Sequence, residues 1–111
     1  MNNDAVLRAR VLLLGTGKLS RLQRVTAHRL LAVDSPAVHL PKLSRALVKL
    51  GKEIAHLPEA RLALLDEAVA AAGAMDPADP HRPQVLAEAL DARREQLHAM
   101  GRTAHGPAGG Q

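Results

Sequence analysis

The sequence predicts an all-α protein, an antiparallel helical array of about five helices, and three observations lead there. Apolar residues recur at three- and four-residue steps, most cleanly at Leu40, Leu43, Leu47, Leu50, Ile54 and Leu57, which is the stripe of an amphipathic helix. Proline and glycine cut such runs into pieces of helical length. The chain is 47% hydrophobic yet has no Phe, Trp or Tyr, so the core must come from Leu, Ala, Val, Ile and Met. Leu and Ala are strong helix formers, and β-branched residues are few.

Each element follows from this punctuation. A first helix is expected from about Asp4 to Leu14, broken by Gly15-Thr16-Gly17. A second runs from about Leu19 to Val33, with Leu22, Val25, Thr26, Arg29, Leu30 and Val33 at helical spacing, and stops at Asp34-Ser35-Pro36. The third carries the Leu stripe, with Pro41 in its first turn, where a missing amide would be unpaired in any case. Pro58 marks the turn into a fourth helix, about Glu59 to Ala74. The loop MDPADPHRP holds three prolines and two aspartates and cannot be helical throughout. A fifth helix follows from about Pro83 to Met100. Residues 1–102 thus form one domain, and residues 103–111, rich in Gly, read as a flexible tail.

The helices repeat. LSRALVKLGKEIAHLP, from Leu43, lies over LAEALDARREQLHAMG, from Leu86, so that Leu43 matches Leu86, Ala46 matches Ala89, Leu47 matches Leu90, Ile54 matches Leu97 and Leu57 matches Met100. AVLR from Ala5 also matches ALVK from Ala46. Helices one, three and five are therefore equivalent, at a period of about 41 to 43 residues. In this register Gly17 corresponds to Pro58 and Gly101, where the first helix of each pair ends.

That register disposes of a resemblance to a phosphate loop at Gly15-Thr16-Gly17-Lys18. The loop pattern needs a first glycine where Leu12 stands and a hydroxyl where Leu19 stands. The dinucleotide pattern fails at its third glycine, which is Ser20. Gly-Thr-Gly-Lys reads as a turn between helices.

SPAVHLPKLSRALVKLG and LAEALDARREQLHAMGR resemble the long-period tetratricopeptide repeats common in high-GC bacteria. Pro36, Leu40 and Pro41 fit the first element of that pattern, with His39 where Tyr is usual. Leu86, Ala87, Leu90, Leu97, Gly101 and Arg102 fit the second, and Asp66-Glu67-Ala68-Val69 the last. The resemblance spans roughly Ala5 to Arg102 as two and a half helix-pair repeats. It implies a short α-solenoid whose first helices line a concave surface that binds peptides or partner domains. A helix pair cannot bury its own apolar face, and about three repeats are usually needed. The unpaired fifth helix is accordingly expected to expose Val85, Leu90, Leu97 and Met100, a surface for self-association or for a partner.

Charge adds a second candidate surface. Residues 1–52 hold ten Lys and Arg against two acids, net +8, whereas residues 53–111 hold five against nine, net −4. Lys42, Arg45, Lys49 and Lys52 lie opposite the Leu stripe, and Arg8 is the repeat equivalent of Lys49, placing the two side by side on adjacent first helices. This basic face could take an acidic peptide, a carboxylate or nucleic-acid phosphates, and its bland reading is an ordinary solvated helix face.

Other chemistry has little support. There is no Cys, which excludes disulfides, thiolate metal sites and cysteine nucleophiles. Among six histidines, His39 with His81 and His56 with His98 are near repeat equivalents. Such positions lie about a helix diameter, ~10 Å, apart, and no zinc-binding spacing occurs, so histidine replacing a packed aromatic is the preferred reading. No G-x-S-x-G elbow surrounds Ser20, Ser35 or Ser44, and adjacent Asp66 and Glu67 point apart on a helix. No membrane span or signal peptide is evident. The expectation is a cytoplasmic, non-catalytic protein–protein interaction module without cofactor or metal, a scaffold or adaptor binding an acidic peptide or partner domain. The alternatives are a small basic nucleic-acid-associated protein using Lys18, Arg21, Arg24 and Arg29, and a self-assembling structural subunit, a homodimer through the fifth helix.

Overall fold

Five helices account for nearly all the described chain: α1 (Asn3–Leu14), α2 (Arg21–Asp34), α3 (Pro36–Glu53), α4 (Pro58–Gly73) and α5 (Arg82–Ala99). The structure, a computed structural model, describes residues 3–14 and 20–102, with side chains for residues 4–10 and 20–102. The expected turn at Gly15-Thr16-Gly17-Lys18 and the tail 103–111 lie outside the described residues.

Local chemistry sets the helix boundaries. Ser20 opens α2 with a capping box: the Gln23 amide donates to Ser20 Oγ at 3.1 Å, and the Ser20 amide donates to Gln23 Oε1 at 3.0 Å. Ser35 alone separates α2 from α3, and Pro36 takes the first position of α3. Pro58 does the same for α4. In the α4–α5 loop Asp76 and Asp79 accept from the amides of Ala78 and His81, at 2.9 and 2.8 Å, turns that free the chain from helical bonding. Gly101, at φ 74°, ends α5 in a left-handed cap. The Arg102 amide donates to the Leu97 carbonyl at 2.7 Å, and the Gly101 amide to that of His98 at 3.0 Å, the paired bonds of a Schellman motif.

Two boundaries and one buried face depart from the sequence reading. α3 begins at Pro36, so Pro41 lies inside the helix. An interior proline usually costs about 3 kcal/mol or more. Here it falls near the helix start, and the carbonyl it deprives belongs to exposed Ala37. α3 also ends at Glu53, which puts Ile54 and Leu57 in the turn and leaves Leu57 exposed. On α2 the buried residues are Val25, Ala27, His28 and Leu31, while Leu22 and Val33 are 60% and 73% exposed. The helix is gripped from two sides. Ala27 and Leu31 pack on Val6 and Ala9 of α1, and Val25 joins Leu43, Ala46 and Leu47 of α3.

The core is close-packed from small residues. Val25, Leu43, Leu47 and Leu50 meet Ala46, Ala68, Ala71 and Ala89, and the alanines let α3, α4 and α5 approach closely in the absence of aromatic filler. Buried Ser44 donates from Oγ to the Ala68 carbonyl at 2.8 Å. Gly51 faces Arg61 of α4, where an added Cβ would stand 3.3 Å from Arg61 Cγ. A third cluster joins Ala72, Met75 and Val85 at the α4–α5 end. Cross-helix contacts show α2–α3, α3–α4 and α4–α5 to be antiparallel, for example Arg93 to Asp66 and Arg102 to Glu59 between α4 and α5.

α3 touches α2, α4 and α5, whereas α1 packs on α2 alone among the described helices. The repeat register is realised between α3 and α5, where Arg45 reaches Glu88 across a separation of 43 residues. It is not realised between α1 and α3. α1 seats at the α2–α3 elbow, with Arg10 3.4 Å from Asp34, while Lys49 lies towards the other end of α3. Arg8 therefore does not stand beside Lys49.

A basic groove as the candidate functional site

Helical spacing builds the site from two directions. On α2, Arg21, Arg24 and His28 fall at steps of three and four residues. On α3, Lys42, Arg45 and Lys49 do the same, with Ala46 between them on that face. Because one residue joins the antiparallel helices, the two rows face each other and line a groove of about 540 Å³. Successive cations on each wall are one helical turn apart, about 5.4 Å. The groove runs from His28 and Lys42 near the elbow to Arg21 and Lys49 at the far end.

The charge is only partly compensated. Arg21 pairs with Glu53, and Arg45 pairs with Glu88 of α5 at 3.0 Å. Among the described residues Arg24, Lys42 and Lys49 have no acidic partner. The acids of α4 and α5 are mostly committed elsewhere: Glu59 to Arg102, Asp66 to Arg93, Glu67 to Arg29 and Asp91 to Arg94. An anion entering this groove thus meets cations that the protein itself does not neutralise.

Two histidines close the elbow end. His28, 7% exposed, places its Nδ1 3.1 Å from Nδ1 of His39 on α3. Burial pushes the His28 ring down to about 4, with like-charge pressure from His39, Lys42 and Arg24 adding to it. His39 is lowered as well, first by burial and then by Lys42 and Arg10. Both rings are therefore neutral near pH 7, and one donates from Nδ1 while the other accepts. The histidine pairs drawn from the repeat, His39 with His81 and His56 with His98, are not the pair formed. Among the described residues no cluster of three His, Asp or Glu is placed to hold a metal ion.

A second groove, of about 590 Å³, lies between α3 and α5. Arg45, Lys49, Lys52 and Arg61 form one side and Glu88, Asp91 and Glu95 the other. Arg61 donates to Gln96 Oε1 at 2.7 Å, and Gln96 Nε2 reaches the Pro58 carbonyl at 3.4 Å, a link that ties α4 to α5 beneath it.

The proposed basic face is therefore divided. Lys42 lines the α2–α3 groove, Arg45 and Lys49 border both grooves, Lys52 lines the α3–α5 groove, and Arg8 is exposed on α1 away from either. Arg21 and Arg24, read from sequence as a separate set on α2, share the first groove. Arg29 does not, because a two-pronged pair with Glu67 at 2.7 Å holds it on another face. Sequence reasoning missed the His28–His39 pair, although residues near the Ser35 elbow must face one another once the hairpin is recognised.

The self-association surface is corrected. Val85 and Leu97 are 1% and 6% exposed, inside the chain, and Met100 is half-buried; Leu90 alone of the four is exposed, at 41%. α5 turns its apolar side to α3 and α4 and presents Gln84, Asp91, Arg94, Glu95 and His98 to solvent. No helix among the described residues is long and apolar enough to cross a membrane. No family model, curated protein or solved structure matches the chain.

Proposed function

We propose that the chain is a non-catalytic protein–protein interaction module, a tetratricopeptide-like scaffold or adaptor of the cytoplasm, that binds an acidic peptide segment in the α2–α3 groove. The observation that carries this reading is the convergence of Arg21, Arg24, Lys42, Arg45 and Lys49 on one groove in which three cations have no acidic partner. The α3–α5 packing at the repeat offset supports the helical-repeat part of the reading. Burial of Val85 and Leu97 weighs against self-assembly through α5.

The presence of Arg21 and Arg24 in the same groove favours a second reading, nucleic-acid phosphate. Against it stands the lack of any aromatic side chain to stack on bases. Fluorescence polarisation separates the two. Labelled hexaglutamate and a labelled single-stranded oligonucleotide are titrated across a salt series, with wild type and Lys49→Glu. Preferential, Lys49-dependent capture of hexaglutamate supports the interaction module. Preferential capture of the oligonucleotide with a steep salt slope supports the second reading, and binding of neither defeats both.

A further inference from the structure

The groove holds one polar group that the cation count leaves out. His28 lines its elbow end, and its Nδ1 is engaged by His39. The remaining ring nitrogen, Nε2, has no hydrogen-bond partner among the described residues, yet it is not among the buried polar atoms sealed from solvent. A neutral imidazole carries one proton, so the bond with His39 and the state of Nε2 are linked. If His28 donates from Nδ1, its Nε2 presents a lone pair. If His39 donates from its Nδ1, the His28 proton sits on Nε2 and the ring presents a donor.

We propose that His28 is an anion-binding residue of the groove, donating from Nε2 to a carboxylate of the acidic segment, and that His39 is the positioning residue that selects this tautomer by donating from its own Nδ1. The inference rests on the groove reading above. Arg24 on α2, Lys42 on α3 and Arg10 on α1 are the charged groups that act on the two rings. In an empty groove such cations favour a lone pair turned towards them. An entering carboxylate reverses that preference, because it accepts a hydrogen bond and offers none. The arrangement is the one by which an outer partner fixes the tautomer and orientation of a ligating histidine. It also adds a directional contact beside the Lys42 ammonium, which supplies a point charge.

The test uses the whole chain and hexaglutamate. Ring ¹⁵N signals of His28 are followed while hexaglutamate is titrated near neutral pH, and affinities are measured for His28→Leu, His39→Leu, His39→Asn and Lys49→Glu. The expected result is that saturation moves the His28 proton to Nε2. His28→Leu then weakens binding by about tenfold or more, as loss of a hydrogen bond to a charged group should. His39→Leu weakens it too, and His39→Asn, whose amide can donate from the same place, restores most of it. The ring signals are read on wild type, so they do not depend on how well a variant folds. If Lys49→Glu weakens binding but His28→Leu stays within about twofold of wild type, or the ring signals do not move, the proposal is overturned and the groove reading stands. If hexaglutamate fails to bind, or binds regardless of Lys49→Glu, both fall.

Discussion

The two grooves flanking α3 share a wall and differ in what stands opposite. Arg45 and Lys49 border both. Across the α3–α5 groove they meet Glu88, Asp91 and Glu95, and that site is close to balanced. Across the α2–α3 groove they meet Arg21, Arg24 and His28, and the site is left positive. The same two cations thus face acids on one side, where Arg45 pairs with Glu88, and face further cations on the other. A basic stripe on one helix does not define a site; the facing helix does.

The largest effect expected comes from the shared wall itself. Leu47 is fully buried at the centre of the main cluster, and Leu47→Ala should cost about 2–5 kcal/mol through lost burial and the cavity left behind. A fall in the urea midpoint with unchanged slope would check it. Next, Lys42→Glu combined with Lys49→Glu should weaken hexaglutamate binding on the order of 100-fold, since each reversal exchanges an attraction for a repulsion, a change of about 1.4 kcal/mol in all. Smaller again, Lys52→Glu touches only the balanced groove and should change the same affinity by less than about threefold. An equal loss from Lys52→Glu would erase the distinction between the grooves.

A separate expected effect is a pH dependence of stability that arises in the positive groove. The folded His28 sits at about 4 against an ordinary 6.5, so between those values the folded chain binds fewer protons than the unfolded one. Stability from this source is complete above about pH 6.5 and is lost as pH falls towards about 4, and the lowered His39 acts in the same direction. Urea midpoints of wild type against His28→Leu should diverge in slope across that window, with the variant flatter.

Much of this architecture is written in local chemistry. Pro36, Pro58 and Pro83 sit in the first turns of their helices, Leu43, Leu47 and Leu50 form the buried stripe, and Gly101 is the left-handed cap. The candidate site was legible only by halves. Lys42, Arg45 and Lys49 stand out on α3, and Arg21 and Arg24 on α2, but their union depends on the tightness of the Ser35 elbow. A one-residue connection brings the two rows together, and no spacing within either helix reports it. The ion pair that consumes Arg21 runs to a residue 32 positions away, beyond any helical period, while the one that consumes Arg45 joins two positions matched in the repeat, 43 residues apart. Burial of Val85 and Leu97 was missed because the repeat argument leaves a half-repeat open, whereas α5 packs these residues against α3 and α4.

The central claim is that the α2–α3 groove, and not the α3–α5 groove, takes the anion. Backbone amide shifts of ¹⁵N-labelled protein during a hexaglutamate titration test it most directly. The account predicts that the largest changes fall together on Arg24, His28, Lys42 and Lys49, with Asp91 and Glu95 of α5 little moved. Changes centred on α5 and Lys52, or spread evenly over every exposed cation, would contradict it.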